Sequence, residues 1–178
     1  MMPWAVDPAH TALEFSAKHL GVMTVRGRFD RFDASVKVED GRPLEAVATI
    51  DTASVSTRET KRDDHLRSAD FFDVEKFPKM TFKSTRIETN GSRISMDGDL
   101  TIRDVTRPIH LEGEFAGGVK DPWGGERLAL SMSGKVNRKD WGLQWNVPVG
   151  ERLLVSDDVT LHVDTEIVHQ DAAGQESA

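Results

Sequence analysis

SVSTRETKRDDHLRSADFFDVEKFPKMTF, residues 54–82, is the longest stretch of this sequence that lacks the apolar–polar alternation of β-strands. Ser56 and Glu59 have the spacing of a capping box, which predicts a helix that begins there and runs towards Ser68. Pro78 then restricts the residue before it to an extended conformation. A short helical insertion of this kind, in a chain of strands, favours a cap over one end of a barrel.

The residues before this segment alternate in the manner of strands. A first strand is predicted over residues 11–18. A long run over residues 22–38 follows, in which Gly27 marks a bend and the parity changes before Phe32. The turn Asp40-Gly41 leads to a third strand. The apolar positions of these strands are Leu13, Phe15, Ala17, Phe32, Ala34, Val36, Val38, Leu44, Ala46, Ala48 and Ile50.

The residues after the segment alternate even more regularly. Met80 and Phe82 begin a strand that Asn90-Gly91, a strong hairpin turn, joins to the next one. Four further apolar faces consist of Ile94, Met96, Gly98, Leu100 and Ile102; of Ile109, Leu111, Gly113 and Phe115; of Leu128, Leu130, Met132, Gly134 and Val136; and of Val159, Leu161, Val163 and Ile167. Eight strands with one apolar and one polar face predict an all-β fold. We expect an extended eight-stranded antiparallel barrel with a short helical insertion between strands 3 and 4.

The length of 178 residues favours a single domain, which we assign to residues 1–169, followed by a flexible polar tail at 170–178. Apolar residues make up 38% of the chain and charged residues 30%, which suits a sheet with one wet face. The formal net charge of −7 argues against a nucleic-acid partner. Because the chain has no cysteine, disulfides and thiolate chemistry are excluded.

Membrane and export signals are not visible in the sequence. Nowhere do 18 apolar residues follow one another, so we expect no transmembrane segment. The N-terminal MMPWAVDPAH has neither the basic nor the apolar region of a signal peptide. We therefore expect a cytoplasmic protein.

The interior of the predicted barrel decides its function, because eight strands enclose just enough space for their own side chains or for one slender ligand. Small residues recur on the apolar faces, at Ala46, Ala48, Gly98, Gly113 and Gly134. They favour a hollow interior, although glycines also relieve bends in coiled strands. The remaining positions are rich in Phe, Met and Leu, which suits a cavity for hydrocarbon and equally an ordinary packed core. Alternation alone leaves both alternatives open.

The chain also resembles a known family. The most specific part is RDDHLRSADFF, residues 62–72, and the similarity covers almost all of residues 4–168. The other motifs are His10 and Phe15, Lys18-His19-Leu20-Gly21, Gly27-Arg28-Phe29, DTASVST at 51–57, Phe77-Pro78, Thr81-Phe82-Lys83-Ser84, Gly98-Asp99-Leu100-Thr101, Thr106-Arg107-Pro108 and Asp121-Pro122-Trp123-Gly124. On these motifs the chain resembles the YceI-like family of polyisoprenoid-binding, lipocalin-like barrels.

The resemblance implies a lipocalin-like barrel whose apolar tunnel holds an isoprenoid lipid, such as an isoprenoid quinone or a polyprenyl phosphate, or in some members a fatty-acid derivative. It implies a non-enzymatic binding protein with no required cofactor, often a homodimer. Many relatives reach the periplasm behind a signal peptide, and this sequence departs from them on that point.

Candidate contacts for the lipid combine bulk with an inward position or a position in the cap. For the tail they are Phe15, Phe29, Phe32, Leu66, Phe71, Phe72, Met80, Phe82, Leu100, Leu130 and Trp141. For a head group they are His19, Arg26, Arg62, His65 and Arg67. Each tail candidate is equally compatible with plain core. Arg62, Asp63 and His65 are alternatively ties that hold the cap to the rim of the barrel.

Rival functions have weaker support in the sequence. His65 with Asp63 or Asp64 would be an acid–base pair, but no nucleophile motif accompanies it. The six histidines are scattered, and His110 and His162 fall on outward positions, so no metal site is predicted. The main alternative is a barrel with a solid core that acts as a scaffold through its surface.

Overall fold

The structure is a computed structural model that describes residues 4–169. The predicted tail at 170–178 lies outside the described residues. The elements are β1 (Trp4–Val6), β2 (Ala12–His19), β3 (Met23–Phe29), β4 (Phe32–Glu39), β5 (Arg42–Asp51), β6 (Val55–Ser56), α1 (Thr60–Arg67), β7 (Lys79–Asn90), β8 (Arg93–Ile102), β9 (Val105–Lys120), β10 (Glu126–Asn137), β11 (Pro148–Val149), β12 (Arg152–Leu153) and β13 (Val155–His169).

The strands form a closed antiparallel barrel. The order of pairing is β1-β4-β5-β7-β8-β9-β10-β13-β2-β3-β6, and β1 also pairs with β13, which closes the ring. Three strand positions are each built from two consecutive pieces, namely β1 with β2, β3 with β4 and β5 with β6. Together with β7, β8, β9, β10 and β13 they give the eight predicted positions. The helix follows the third position, as predicted.

The bend in the long predicted run lies at Asp30 and Arg31, between β3 and β4, and not at Gly27. The neighbouring strand is interrupted at the same level by the 3-10 turn Thr52–Ser54. The Ser54 hydroxyl accepts a hydrogen bond from the Arg31 N–H at 3.0 Å. The 3-10 turn thus satisfies a backbone donor at the bend between β3 and β4. Phe29 is buried and Phe32 is half-buried, which confirms the predicted change of parity between them.

The predicted start of the helix is wrong by several residues. Ser56 belongs to β6, and Glu59 is itself the N-cap of α1. Its carboxylate accepts hydrogen bonds from the N–H groups of Lys61 at 3.2 Å and Arg62 at 2.6 Å. A carboxylate at this position also opposes the positive end of the helix dipole. The spacing of Ser56 and Glu59 therefore resembles a capping box without forming one.

The turns and the core follow the alternation. Asp40 and Gly41 both have positive φ, as a tight hairpin turn requires, and Asn90 pairs with Arg93 around a turn that starts at the positive-φ Gly91. The apolar faces meet inside the barrel, where Leu128 and Ile167 are fully excluded from solvent. The predicted inward position of Leu44 is wrong: Leu44 is 41% exposed and Pro43 is buried instead, because the pairing of β4 with β5 shifts register between Lys37 and Val38. In residues 4–169 no helix has the length and hydropathy needed to cross a membrane.

Candidate functional site

The barrel contains a cavity of about 260 Å³, which we call the bore. Its wall is formed almost entirely by aliphatic and aromatic side chains from every strand position of the barrel and from the cap. They include Leu13, Phe15, Ala17, Phe29, Ala34, Val36, Ala46, Ala48, Ile50, Leu66, Phe71, Phe72, Met80, Phe82, Met96, Leu100, Ile102, Ile109, Leu111, Leu130, Met132, Val136, Trp141, Leu143, Val159, Leu161, Val163 and Ile167. The interior is therefore hollow in part, and the walls suit hydrocarbon.

The small residues on the inner face have two different roles. Ala46 and Ala48 line the bore and leave space in it. A Cβ at Gly98 would lie 2.3 Å from the Phe82 ring. A Cβ at Gly113 would lie 1.9 Å from a backbone oxygen of the next strand. The glycines thus permit the close approach of a ring or of a neighbouring strand. Only the alanines support the prediction that small inward residues leave the barrel hollow.

Residues that follow α1 cover the end of the bore with aromatic rings. Phe72 donates its N–H to the Leu66 carbonyl at 2.9 Å, which folds the chain back under the helix. The Phe72 ring lies edge-on to Phe29 with centroids 5.5 Å apart, and Phe29 in turn lies 5.7 Å from Phe15. Such pairs contribute beyond the area that they bury. The insertion is therefore a cap whose underside is part of the wall of the bore.

Asp63 and Arg62 attach this cap to the barrel. The buried Asp63 carboxylate accepts hydrogen bonds from the Thr57 N–H at 2.8 Å and from its hydroxyl at 2.6 Å. Arg62 donates from Nε to the Thr57 hydroxyl at 2.7 Å and from Nη2 to the Thr57 carbonyl at 2.8 Å. Arg67 donates to the carbonyls of Ala53 at 2.9 Å and Val55 at 3.0 Å. These contacts agree with the alternative in which charged residues of the motif hold the cap in place.

A second cavity of about 370 Å³, which we call the mouth, adjoins the bore. The two share Phe15, Ala17, Leu66, Phe71 and Val155 as lining residues. The mouth is more polar, because its remaining lining residues are Lys18, His19, Val25, Thr57, Glu59, Lys61, Arg62, His65, Trp145 and Leu154. It lies between α1, the β2–β3 hairpin and the segment before β13. An apolar chamber thus continues into a polar one at the capped end of the barrel.

His65 is at the centre of one wall of the mouth. Its ring meets Trp145 edge-on with centroids 4.5 Å apart and Phe71 at 5.1 Å. Its Nε2 lies 2.8 Å from the Asp70 carboxylate. The imidazole therefore joins the cap to the segment before β13, and the Asp70 contact fixes its orientation.

Positive charge predominates at the mouth although the whole chain carries −7. Lys18, Lys61 and Arg62 are the cations, and Glu59, the one acid among the lining residues, already caps α1. Neither the Lys61 ammonium nor the His19 imidazole makes a side-chain hydrogen bond or ion pair with another part of residues 4–169. Both groups line the cavity and are not engaged by other side chains of the described residues.

Most, but not all, of the predicted contacts line the two cavities. Every predicted tail residue except Phe32 lines the bore, and Phe32 packs at the edge of the core instead. Of the head-group candidates, His19, Arg62 and His65 line the mouth. Arg26 is exposed on the opposite side of β3 from Val25 and Gly27, since neighbouring side chains on a strand alternate. Arg67 is engaged by the backbone of the preceding turn.

Sequence reasoning missed Arg138, a buried residue at the end of β10 that also borders the bore. It donates from Nε to the Ser156 carbonyl at 2.9 Å and from Nη1 to the Leu143 carbonyl at 2.6 Å. Burial lowers the pKa of Arg138, and the carboxylate of Asp157, 3.8 Å from Nη2, acts against that shift. By joining residues 138–143 to the start of β13, Arg138 positions Trp141. A charged residue directly after a strand gives no signal of such burial.

A polar cluster lies at the other end of the barrel. The ligand atoms of Asp7, His10 and Glu166 lie within 4.8 Å of one another, close enough in principle to hold a metal ion. The Arg127 guanidinium, however, is 3.3 Å from Asp7 and 3.2 Å from Glu166, so a cation already neutralises these carboxylates. The cluster is better described as an ion-pair network that joins β10 and β13 to the turn Pro8–His10.

Comparison with known proteins agrees with this architecture. The chain is 36% identical to protein YceI of Escherichia coli O6:H1 over 163 residues, which cover 90% of this chain and 83% of that protein. The crystal structure of the Campylobacter jejuni YCEI protein matches with a TM-score of 0.72 at 32% identity, over 84% of this chain and 87% of that one.

A third match is to a domain from Saccharophagus degradans described as polyisoprenoid-binding and implicated in plant cell wall breakdown. It has a TM-score of 0.69 and 15% identity, over 95% of this chain and 99% of that one, and at this identity it shows the fold alone. The model of the YceI-like domain matches residues 4–167. With its eight-stranded barrel, its cap and these matches, the chain belongs to the YceI-like domain family.

Proposed function

We propose that this protein binds one long-chain isoprenoid lipid, an isoprenoid quinone or a polyprenyl phosphate, or a similar amphiphile, and carries it without chemical change. The tail lies in the bore and the head group lies in the mouth. The observation that carries the proposal is the apolar cavity of about 260 Å³ that adjoins a polar one. A scaffold with a solid core would have no need for this space.

Burial of hydrocarbon supplies the binding free energy. Each buried CH₂ group contributes about 0.8 kcal/mol, and a preformed cavity reduces the cost of ordering the protein. Such a wall does not distinguish one hydrocarbon chemically from another. Selectivity therefore comes from the length of the bore and from the few polar groups at the mouth.

The structural relative from Saccharophagus degradans is described as polyisoprenoid-binding, which is the same class of ligand. We extend the ligand class to this chain because the bore has the wall that such a ligand needs. The fold match alone does not select a ligand.

We infer binding in preference to catalysis from the roles that the motif residues already have. Asp63 accepts from Thr57, and the Asp64 carboxylate is 3.2 Å from the Arg67 guanidinium. His65 is engaged by Asp70 and not by either of its two acidic neighbours in the sequence. An acid–base pair of His65 with Asp63 or Asp64 is therefore not formed in this structure.

The decisive experiment is extraction and mass spectrometry of lipid from the purified protein. We expect one long-chain lipid per chain, retained through purification. Protein that carries no lipid, and takes up neither a polyprenyl phosphate nor an isoprenoid quinone when offered both, would contradict the proposal.

A charge reversal at the mouth distinguishes the two head groups. Lys61→Glu should weaken the binding of a polyprenyl phosphate by about tenfold to a hundredfold, since one charge-assisted contact is worth about 1.5–3 kcal/mol. Binding of an isoprenoid quinone should change little. Lys135→Glu, an exposed lysine on the outer wall of β10, is the matched control. Equal effects of the two variants on the phosphate would contradict the placement of the head group.

A further inference from the structure

Two loops beside the mouth carry exposed apolar side chains. One is the turn between β2 and β3, with Val22 and the first residue of β3, Met23, and the other is the β11–β12 hairpin with the residue before it. The mouth lies next to both, because His19 ends β2 and Leu154 follows β12, and both residues line it. We call these side chains the mouth patch, which consists of Val22, Met23, Val147, Val149 and Leu153.

The mouth patch contains a large share of the exposed large apolar side chains of residues 4–169. Nine large apolar side chains in this part of the chain are exposed, and five of them belong to the patch. Val22 exposes 69% of its surface and Leu153 exposes 49%. Single exposed apolar residues need no explanation, but a concentration of them at one end of a molecule marks an interaction site.

Hydrogen bonds hold the two loops together as one surface. The Leu20 N–H donates to the Leu154 carbonyl at 3.0 Å, and Arg152 Nη1 donates to the Leu20 carbonyl at 3.0 Å. Asn146 accepts from the Val155 N–H at 3.1 Å and donates to its carbonyl at 2.7 Å, which fixes the base of the hairpin to β13. The patch is therefore a built part of the rim of the mouth.

We propose that the mouth patch docks the protein on the surface of a lipid bilayer, so that the ligand moves between bilayer and bore without crossing water. This inference rests on the proposed function. A hydrocarbon tail that leaves the bore through water exposes its whole apolar surface to the solvent. If the mouth is pressed against a bilayer, the tail passes directly from the bore into the lipid. Apolar side chains that surround the opening would enter the boundary between head groups and acyl chains.

The charges near the patch fit the same partner. Lys18, Lys61 and Arg62 line the mouth and Arg152 lies in the hairpin. The acids beside them are Glu59, which caps α1, Asp70, which contacts His65, and Glu151. In a chain with a net charge of −7, these cations direct the mouth towards an anionic surface. We therefore expect docking to strengthen with the fraction of anionic lipid.

The test measures binding of the full chain to vesicles of phosphatidylcholine with phosphatidylglycerol by co-sedimentation, together with the rate of lipid transfer between vesicles. The double variant Val22→Asp, Leu153→Asp should bind vesicles roughly tenfold more weakly or worse, because an inserted aliphatic side chain is worth at least that factor. Its transfer rate should fall in parallel. The lipid that it retains on purification should be unchanged.

Val119→Asp is the matched control, since this valine is 47% exposed but lies at the opposite end of the barrel. Vesicle binding that is absent in the wild type, or equal in the wild type and the double variant, would overturn the inference. Light scattering gives a second outcome that would overturn it. If the wild type is a dimer and the double variant is a monomer that binds vesicles equally well, the patch is a contact between two copies. A wild-type protein that takes up no lipid would instead overturn the proposed function.

Discussion

At the level of single residues, the motif at residues 62–72 combines residues that hold the cap with residues that line the cavities. Residues 62–72 supply Asp63, which accepts two hydrogen bonds from Thr57, and Phe71 and Phe72, which line the bore. His65 lines the mouth. Neighbouring residues of one short segment thus support the site and form part of it. The character of a side chain in isolation does not reveal which of these roles it has.

Replacement of Asp63 by alanine tests the tie between cap and barrel. Asp63→Ala leaves the buried Thr57 N–H and hydroxyl without their acceptor, so we expect a loss of about 1–3 kcal/mol in the free energy of unfolding, measured by chemical denaturation. Asp64→Ala is the control, because that carboxylate is exposed and surface changes stay within about 0.5 kcal/mol. Equal losses in the two variants would show that the tie is not what stabilises the cap.

At the level of secondary-structure elements, the two ends of the barrel are closed differently. The end with the mouth is covered by α1 and the aromatic residues after it. The other end is joined by ion pairs, in which Arg127 of β10 contacts Asp7 before the turn Pro8–His10, Asp121 after β9 and Glu166 of β13. Access for a long ligand is therefore expected from the capped end.

The ion-pair end should give the protein a pH-dependent stability. The hydrogen bond to Asp7, assisted by the nearby Glu166 charge, raises the pKa of His10 above its ordinary 6.5. Because the pKa is raised on folding, the contribution of His10 is fully present below pH 6.5 and is lost as the pH rises through the higher folded value.

We therefore expect His10→Gln to lower the Tm at about pH 5.5 and to leave it nearly unchanged at about pH 8.5, as measured by thermal unfolding across this range. Partial burial acts to raise the pKa of Asp7, but hydrogen bonds from His10, the Ala9 N–H and Arg127 outweigh it and lower that pKa. In an Asp7→Asn background, the His10→Gln substitution should consequently have a smaller effect on the Tm at about pH 5.5, where only the Glu166 charge still favours protonated His10. A Tm difference that does not vary with pH would contradict this account.

At the level of the whole molecule, the proposed function depends on space that the closed sheet leaves in its centre. Leu130 and Leu128 lie on the same face of β10, two residues apart, and both are buried. Only Leu130 lines the bore. The alternation of β10 does not explain why one leucine borders the cavity and the other does not. We attribute this difference to the side chains that face each leucine from the other side of the barrel.

This difference gives a matched test of the bore. Leu130→Trp should place its larger ring in the cavity, retain the Tm and lose bound lipid, as measured by unfolding and mass spectrometry. Leu128→Trp should instead lose roughly 1–3 kcal/mol of stability, because no space is available there. If Leu130→Trp were as destabilising as Leu128→Trp, or retained its lipid, the bore would not be the ligand site.

Much of the fold follows from alternation, which predicted the strands, the position of the helical insertion and, with the exception of Leu44 in β5, the inner face of each strand. The prediction of a bend at Gly27 is wrong, because a glycine is needed there for a tertiary contact. The Phe15 ring lies where the Cβ of a larger residue would be. The start of α1 was misjudged because Glu59 accepts backbone N–H groups as the cap itself. Lys18, Lys61 and Leu154 of the mouth carry no local signal, because the mouth forms only where three separate segments meet.

The sequence by itself determined which side of each strand is apolar, because a period of two residues is a local property of the extended backbone. The tertiary structure decided which apolar residues face a cavity and which face one another. It also decided that His19 and Lys61 meet at one opening while Arg26 does not. The physical reason is that alternation orients a side chain but does not say how far away its opposite neighbour lies, and the space left across the barrel is set by all eight strand positions together.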